Sequence, residues 1–113
     1  MSLYLLNDVM EDAGFGAEDV DKAKTAAKEG DVEAQYHLAL MFDTGTGVER
    51  NPKEAEFWYK KAAEQNHGLA AYYLARMYDI ETSGIERNKQ EAIKYYKIAA
   101  DNGNSMALEK VAN

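Results

Sequence analysis

The chain has 113 residues, enough for one domain with a modest core. It contains no cysteine, which excludes structural disulfides, thiolate zinc sites, iron–sulfur clusters and a cysteine nucleophile. Thirteen Lys and Arg stand against twenty Asp and Glu, for a formal net charge of −7, so the basic footprint of nucleic-acid binding is missing and docking to an anionic membrane is disfavoured.

A hydrophobic fraction of 46% separates the sequence from disordered tails, and a single proline among many Ala, Glu, Lys, Leu and Tyr fits a helical chain. The opening stretch Met1 to Asp8 has no positive region and turns acidic at once, so it does not read as a signal peptide. No apolar run has the length of a membrane span, and a cytoplasmic location is the expectation.

Taken in chain order, the periodicity predicts seven helices, at about 3–12, 17–29, 32–43, 52–65, 68–79, 89–102 and 104–112. Leu3, Leu6 and Met10 mark the first, which turns at Gly14-Phe15-Gly16. The second ends in Ala26-Ala27 with Gly30 as a left-handed cap. Ala34, Leu38, Met41 and Phe42 share one face of the third, and Gly45-Thr46-Gly47 is a turn. Asn51-Pro52-Lys53-Glu54 starts the fourth with an N-cap, a proline at the first helical position and a capping Glu. Ala55, Trp58, Tyr59, Ala62 and Ala63 form its core face. Asn66 is the left-handed residue after it, and His67 falls near that helix C-terminus, where positive charge is favoured.

From there the pattern recurs. Ala70, Tyr72, Leu74-Ala75, Met77, Tyr78 and Asp79 repeat Ala34, Tyr36, Leu38-Ala39, Met41, Phe42 and Asp43 thirty-six residues on. Ile85-Glu86-Arg87-Asn88, Ala92, Tyr95-Tyr96 and Ala99-Ala100 repeat the second half at an offset of thirty-seven, so one residue has been inserted in the loop. Ser105-Met106-Ala107-Leu108-Glu109 opens a third copy. One domain, 1–113, therefore divides into a degenerate unit at 1–30, repeats at 31–67 and 68–104, and a capping helix at 105–113.

These units resemble the Sel-one-like repeat, a relative of the tetratricopeptide repeat, through Ala34, Leu38-Ala39, Phe42, Gly45, Gly47-Val48, Asn51, Ala55, Trp58-Tyr59 and Ala62-Ala63. The second unit departs at Glu81 and Ser83-Gly84, where the family's Gly-x-Gly turn is broken. The resemblance implies an all-α, right-handed α/α solenoid of antiparallel helix pairs, whose first helices line a concave face. It also implies an adaptor role, in which other proteins are held. Stacking is required physically as well, because one helix pair cannot bury its apolar stripe alone.

Signals for chemistry are weak. Gly45-Thr46-Gly47 lacks the context of a phosphate loop, and the acidic stretch from Asp79 to Gly84 lacks EF-hand spacing. His37 and His67 have no metal-ligand spacing, and no Ser or Thr sits in a nucleophile motif. An enzyme, a cofactor and a metal site are therefore not expected.

The informative face lies opposite the core stripe of the first helices. Stepping about 100° per residue places Glu33, Tyr36, Leu40 and Asp43 there, then Leu69, Tyr72, Arg76 and Asp79, then Met106 and Glu109. Aromatic, Met and Arg side chains inside a polar rim are the composition of a binding patch. Tyr36, Leu40, Tyr72 and Arg76, furthest from the stripe, read as a groove. Leu69 and Met106 read either as groove or as packing between adjacent first helices. The expected partner is a protein or peptide segment. The alternative is a structural subunit that self-associates through its solenoid ends, using Leu3, Leu6, Met106 and Leu108. Residues 1–33 carry nine acidic and three basic side chains, so attraction to basic partners belongs to the N-terminal end.

Overall fold

A computed structural model of the protein describes residues 17–112. They form six α-helices: α1 Ala17–Lys28, α2 Val32–Thr44, α3 Pro52–Ala63, α4 Gly68–Asp79, α5 Lys89–Asp101 and α6 Ser105–Ala112. A 3-10 turn at Glu81–Ser83 follows α4, and there is no strand among the described residues. The helix expected at 3–12 and the turn at 14–16 lie outside them.

The caps explain why the chain breaks where it does. Asn51 and Asn88 have extended backbones, and their side chains accept from the Glu54 and Glu91 amides at 3.2 and 3.1 Å. Each turn from a second helix to the next first helix has one design. Gly30, Asn66 and Gly103 take φ of 98°, 66° and 91°. The next residue returns its amide to the carbonyl five back, as Asp31 does to Ala26, His67 to Ala62 and Asn104 to Ala99, at 3.0–3.1 Å. That same residue then caps the following helix: the amides of Ala34, Ala70 and Ala107 donate to the side chains of Asp31, His67 and Asn104 at 2.9–3.1 Å. Three residues thus close one helix and open the next.

Each helix packs chiefly on its predecessor and its successor, and α3 also touches α5. The result is two rows, with α2, α4 and α6 in one and α1, α3 and α5 in the other. Alanines make the approach close: Ala55, Ala62, Ala63, Ala70, Ala71 and Ala75 are fully buried. At Gly68 an added Cβ would sit 3.3 Å from Asn102. Leu38, Leu74 and Tyr59 are the largest fully buried side chains, and each buried leucine contributes about 1.5–3 kcal/mol. Trp58, Tyr59, Tyr95 and Tyr96 are buried, as their alanine-flanked spacing implies.

The loop after α4 is built differently from the turn at 45–47. Ser83 is buried; its Oγ donates to the Met77 carbonyl at 2.7 Å and accepts from the Ile85 amide at 3.1 Å. Arg50 staples the two loops, donating from Nε to the Asp43 carbonyl and from Nη2 to the Ser83 carbonyl, both at 2.9 Å. Gly84 has φ of +91°, and a Cβ there would lie 2.6 Å from Pro52, so neither backbone nor space admits another residue.

Candidate protein-binding face

The face anticipated on the first helices is assembled from α2, α4 and α6, but its tyrosines are not open. Tyr36 and Tyr72 are each only 9% exposed. Tyr36 leaves α2 and stacks on His67 at 4.5 Å between centroids, then lies near Tyr73 of α4 at 6.3 Å and Tyr59 of α3 at 6.4 Å. Tyr72 packs against Tyr73 at 5.6 Å and Tyr96 of α5 at 6.0 Å. This corrects the expectation that Tyr36 and Tyr72 line an open groove. An angle measured from one helix pair's stripe ignores the next helix pair, whose residues cover that flank.

Asp43 and Asp79 also do structural work. Tyr59 donates its hydroxyl to Asp43 at 3.0 Å, and Tyr96 donates to Asp79 at 2.9 Å, the same bond in successive repeats. Burial raises both tyrosine pKa values above the ordinary range, and the adjacent carboxylates reinforce this. Burial likewise raises Tyr78, which donates to Glu56. These hydroxyls stay protonated and serve as donors.

What the face presents to solvent is narrower. Leu69 is 42% exposed and Met106 is 51% exposed, so neither is core. They occupy equivalent positions in successive repeats, where α2 has the exposed Glu33. Arg76 is exposed, its guanidinium 5.9 Å from the Tyr72 ring, and Leu40 is half-buried. Glu109 is exposed on α6. Lys110 bridges back, 3.9 Å from Asp79 and 5.9 Å from the Tyr96 ring.

Sequence reasoning missed three contributors. Tyr73 lies at the centre of the ring cluster; an aromatic beside Tyr72 where α2 has His37 was the available signal. Lys110 ties α6 to α4 and α5. His67 was placed at a helix C-terminus, but it caps the N-terminus of α4. Its Nδ1 accepts from the Ala70 amide at 3.1 Å, so the proton resides on Nε2, which donates to Glu33 at 2.9 Å. The correction follows from geometry: the left-handed Asn66 ends the turn one residue earlier, leaving His67 on the next helix.

Elsewhere, a polar hollow of about 580 Å³ lies between α3 and α5, with as many cationic as anionic side chains around it. No group of three or more His, Asp or Glu could hold a metal among the described residues. No helix among them is long and apolar enough to cross a membrane.

Known proteins share this arrangement. The Sel1 repeat matches residues 32–67 and 68–104. A Sel1 repeat protein from Oxalobacter formigenes has a similar structure, with a TM-score of 0.76 and 35% identity over 82% of this chain and 38% of that one. The c5321 protective antigen of uropathogenic Escherichia coli, which displays an SLR fold, has a TM-score of 0.50 and 26% identity over 84% of this chain and 28% of that one. Among curated proteins, rat DAP3-binding cell death enhancer 1 is 37% identical over 51% of this chain and 11% of its own length. Putative sel1-like repeat-containing protein L18 of Acanthamoeba polyphaga mimivirus is 40% identical over 42% of this chain and 8% of its own. The chain therefore spans about a tenth of the length of these curated relatives. With two matched repeats across most of the described residues, the chain belongs to the Sel1 repeat family.

Proposed function

We propose that this chain is a non-enzymatic module that holds a peptide or protein segment on the face of its first helices. The Sel1 repeat is a protein-interaction type of fold and a non-catalytic scaffold, and protein partners follow at that level. The rat relative is named as DAP3-binding, which supports a protein-binding reading without carrying that partner over. The observation that carries the site is the line of exposed Leu69, Arg76 and Met106 over a floor of buried Tyr36 and Tyr72 and half-buried Tyr73. Apolar contacts beside one cation, on a floor of packed aromatic rings, are the makings of an anchor site. Glu33, Leu40 and Glu109 form its rim, while Asp43 and Asp79 hold the helices in place.

The test is a Leu69→Ala, Arg76→Glu, Met106→Ala variant. Partner capture from the native host is expected to fall while thermal unfolding changes little, since all three side chains are exposed. Unchanged capture by the folded variant sinks the assignment. Tyr36→Ala would not be informative, because removing a buried ring tests folding.

A second reading, self-association through the solenoid ends, is favoured by Met106 and Leu108, each half exposed on the last described helix. Leu3 and Leu6, its other contacts, lie outside the described residues. Light scattering that reports only monomer over a wide concentration range removes it.

A further inference from the structure

The row of second helices carries a depression of its own, away from the proposed face. Two adjoining hollows of about 410 and 380 Å³ lie between α1 and α3 and share Lys28 and Trp58 as a common wall. Lys24 and Lys28 come from α1, and Lys61 comes from α3. Phe57 meets Trp58 edge-on at 4.9 Å and 86°, yet remains 49% exposed. Phe57 occupies the position that Lys94 takes one repeat later, so the large apolar ring here is not demanded by the repeat.

Charge says what would cover it. No ion pair engages Lys24, Lys28 or Lys61 among the described residues; Lys61 only rests 5.5 Å from the Phe57 ring centroid. The next groove, between α3 and α5, differs: its charges balance, Lys94 rests over Tyr95, and Glu56 accepts from Tyr78. In a chain of net charge −7, three lysines that no ion pair engages among the described residues, outnumbering the carboxylates around an exposed phenylalanine, are a local inversion. Glu54 and Glu64 line the same depression. They oppose a continuous polyanion such as nucleic acid, but tolerate carboxylates spaced along a peptide.

We propose that the α1–α3 depression docks an acidic peptide segment, with its carboxylates on Lys24, Lys28 and Lys61 and an apolar side chain against Phe57 and Trp58. Steering by these lysines makes the association salt-dependent. The site is separate from the face of α2, α4 and α6, so both can be filled at once.

Trp58 is the sole tryptophan, which supplies the readout. The full chain is titrated with a synthetic peptide alternating glutamate with leucine and phenylalanine, and the tryptophan emission is followed. A saturable change is expected. Replacing the glutamates by glutamine should weaken binding by about tenfold or more, as should Lys28→Glu with Lys61→Glu. Arg76→Glu, on the other face, should leave it within about twofold. Circular dichroism melts confirm that the charge-reversed variant is folded; if it is not, Phe57→Ala, at an exposed position, takes its place with the same expectation. No saturation up to about 1 mM peptide overturns the proposal. So does equal binding of the glutamine peptide, or a loss caused by Arg76→Glu. Tighter binding of a single-stranded oligonucleotide would make this a nucleic-acid site. Emission that changes with protein concentration alone would assign the depression to a second copy.

Discussion

The repeats at 32–67 and 68–104 are two solutions of one packing problem, and their differences separate frame from surface. Both close their loops with the same amide, Asn51 to the Phe42 carbonyl and Asn88 to the Tyr78 carbonyl, each at 2.9 Å. Both cap the second helix with that asparagine, and both tie its tyrosine to the first helix's terminal aspartate. Around this constant frame the exposed and half-buried positions diverge. Glu33, His37 and Leu40 become Leu69, Tyr73 and Arg76; Phe57 and Lys61 become Lys94 and Ile98. A position that recurs because packing requires it carries no information about a ligand. Positions that diverge while keeping some exposure are free to carry it.

The largest way to test that division is through the core. Trp58→Ala and Tyr95→Ala remove equivalent buried rings and should each cost about 3–5 kcal/mol in denaturant melts. A loss under about 1 kcal/mol at either site would mean that the two repeats are not packed alike. The hydrogen-bonded frame comes next. Asp43→Ala and Asp79→Ala each leave a tyrosine hydroxyl without its acceptor, for about 1–3 kcal/mol. In a Tyr59→Phe background the Asp43→Ala penalty should shrink, and a coupling energy near zero in that cycle would show that the bond is not part of the frame.

The same tyrosines set a pH response. Unfolded tyrosines ionise near about 10, whereas burial, helped by Asp43 at Tyr59 and by Asp79 at Tyr96, raises the folded values. Below about 10 both states hold their protons and the contribution is fully present. Above that pH the unfolded chain releases protons first, so stability falls as pH rises and keeps falling until the folded hydroxyls ionise. Melting temperatures measured against pH should drop on the alkaline side, with a shallower slope for Tyr59→Phe. An unchanged slope in that variant would contradict the placement of Tyr59.

Much of the frame was legible because it is local. Asn51 and Asn88 announce helix starts, Gly30 and Gly103 announce ends, and the alanine–aromatic spacing marks the core face. What was not legible depends on neighbours distant in sequence. Arg50 reaches Ser83 across thirty-three residues, so the buried serine and the 3-10 turn before Gly84 had no local signature. Tyr36 looked solvent-facing because the residues that cover it are distant in sequence, His67 at the very end of its own repeat and Tyr73 in the next. The same limit hid the exposure of Leu69 and Met106, which depends on what the adjacent first helices leave uncovered.

The finest test lies where the repeats solve one turn with different residues. Asn66 and its counterpart Gly103 both adopt positive φ, 66° and 91°. An added Cβ at Gly103 meets nothing within 4 Å, so any penalty there is conformational, not steric crowding. Gly103→Ala should therefore cost about 1–2 kcal/mol, the strain of a left-handed backbone with a Cβ. Gly103→Asn should cost less, since asparagine tolerates that region through local hydrogen bonding. Asn66→Gly should stay within about 0.5 kcal/mol, because relief of strain offsets the greater freedom of the unfolded glycine. If Asn66→Gly were strongly destabilising, the Asn66 side chain would be holding His67 and the α4 cap, and this turn would be part of the frame in one repeat only.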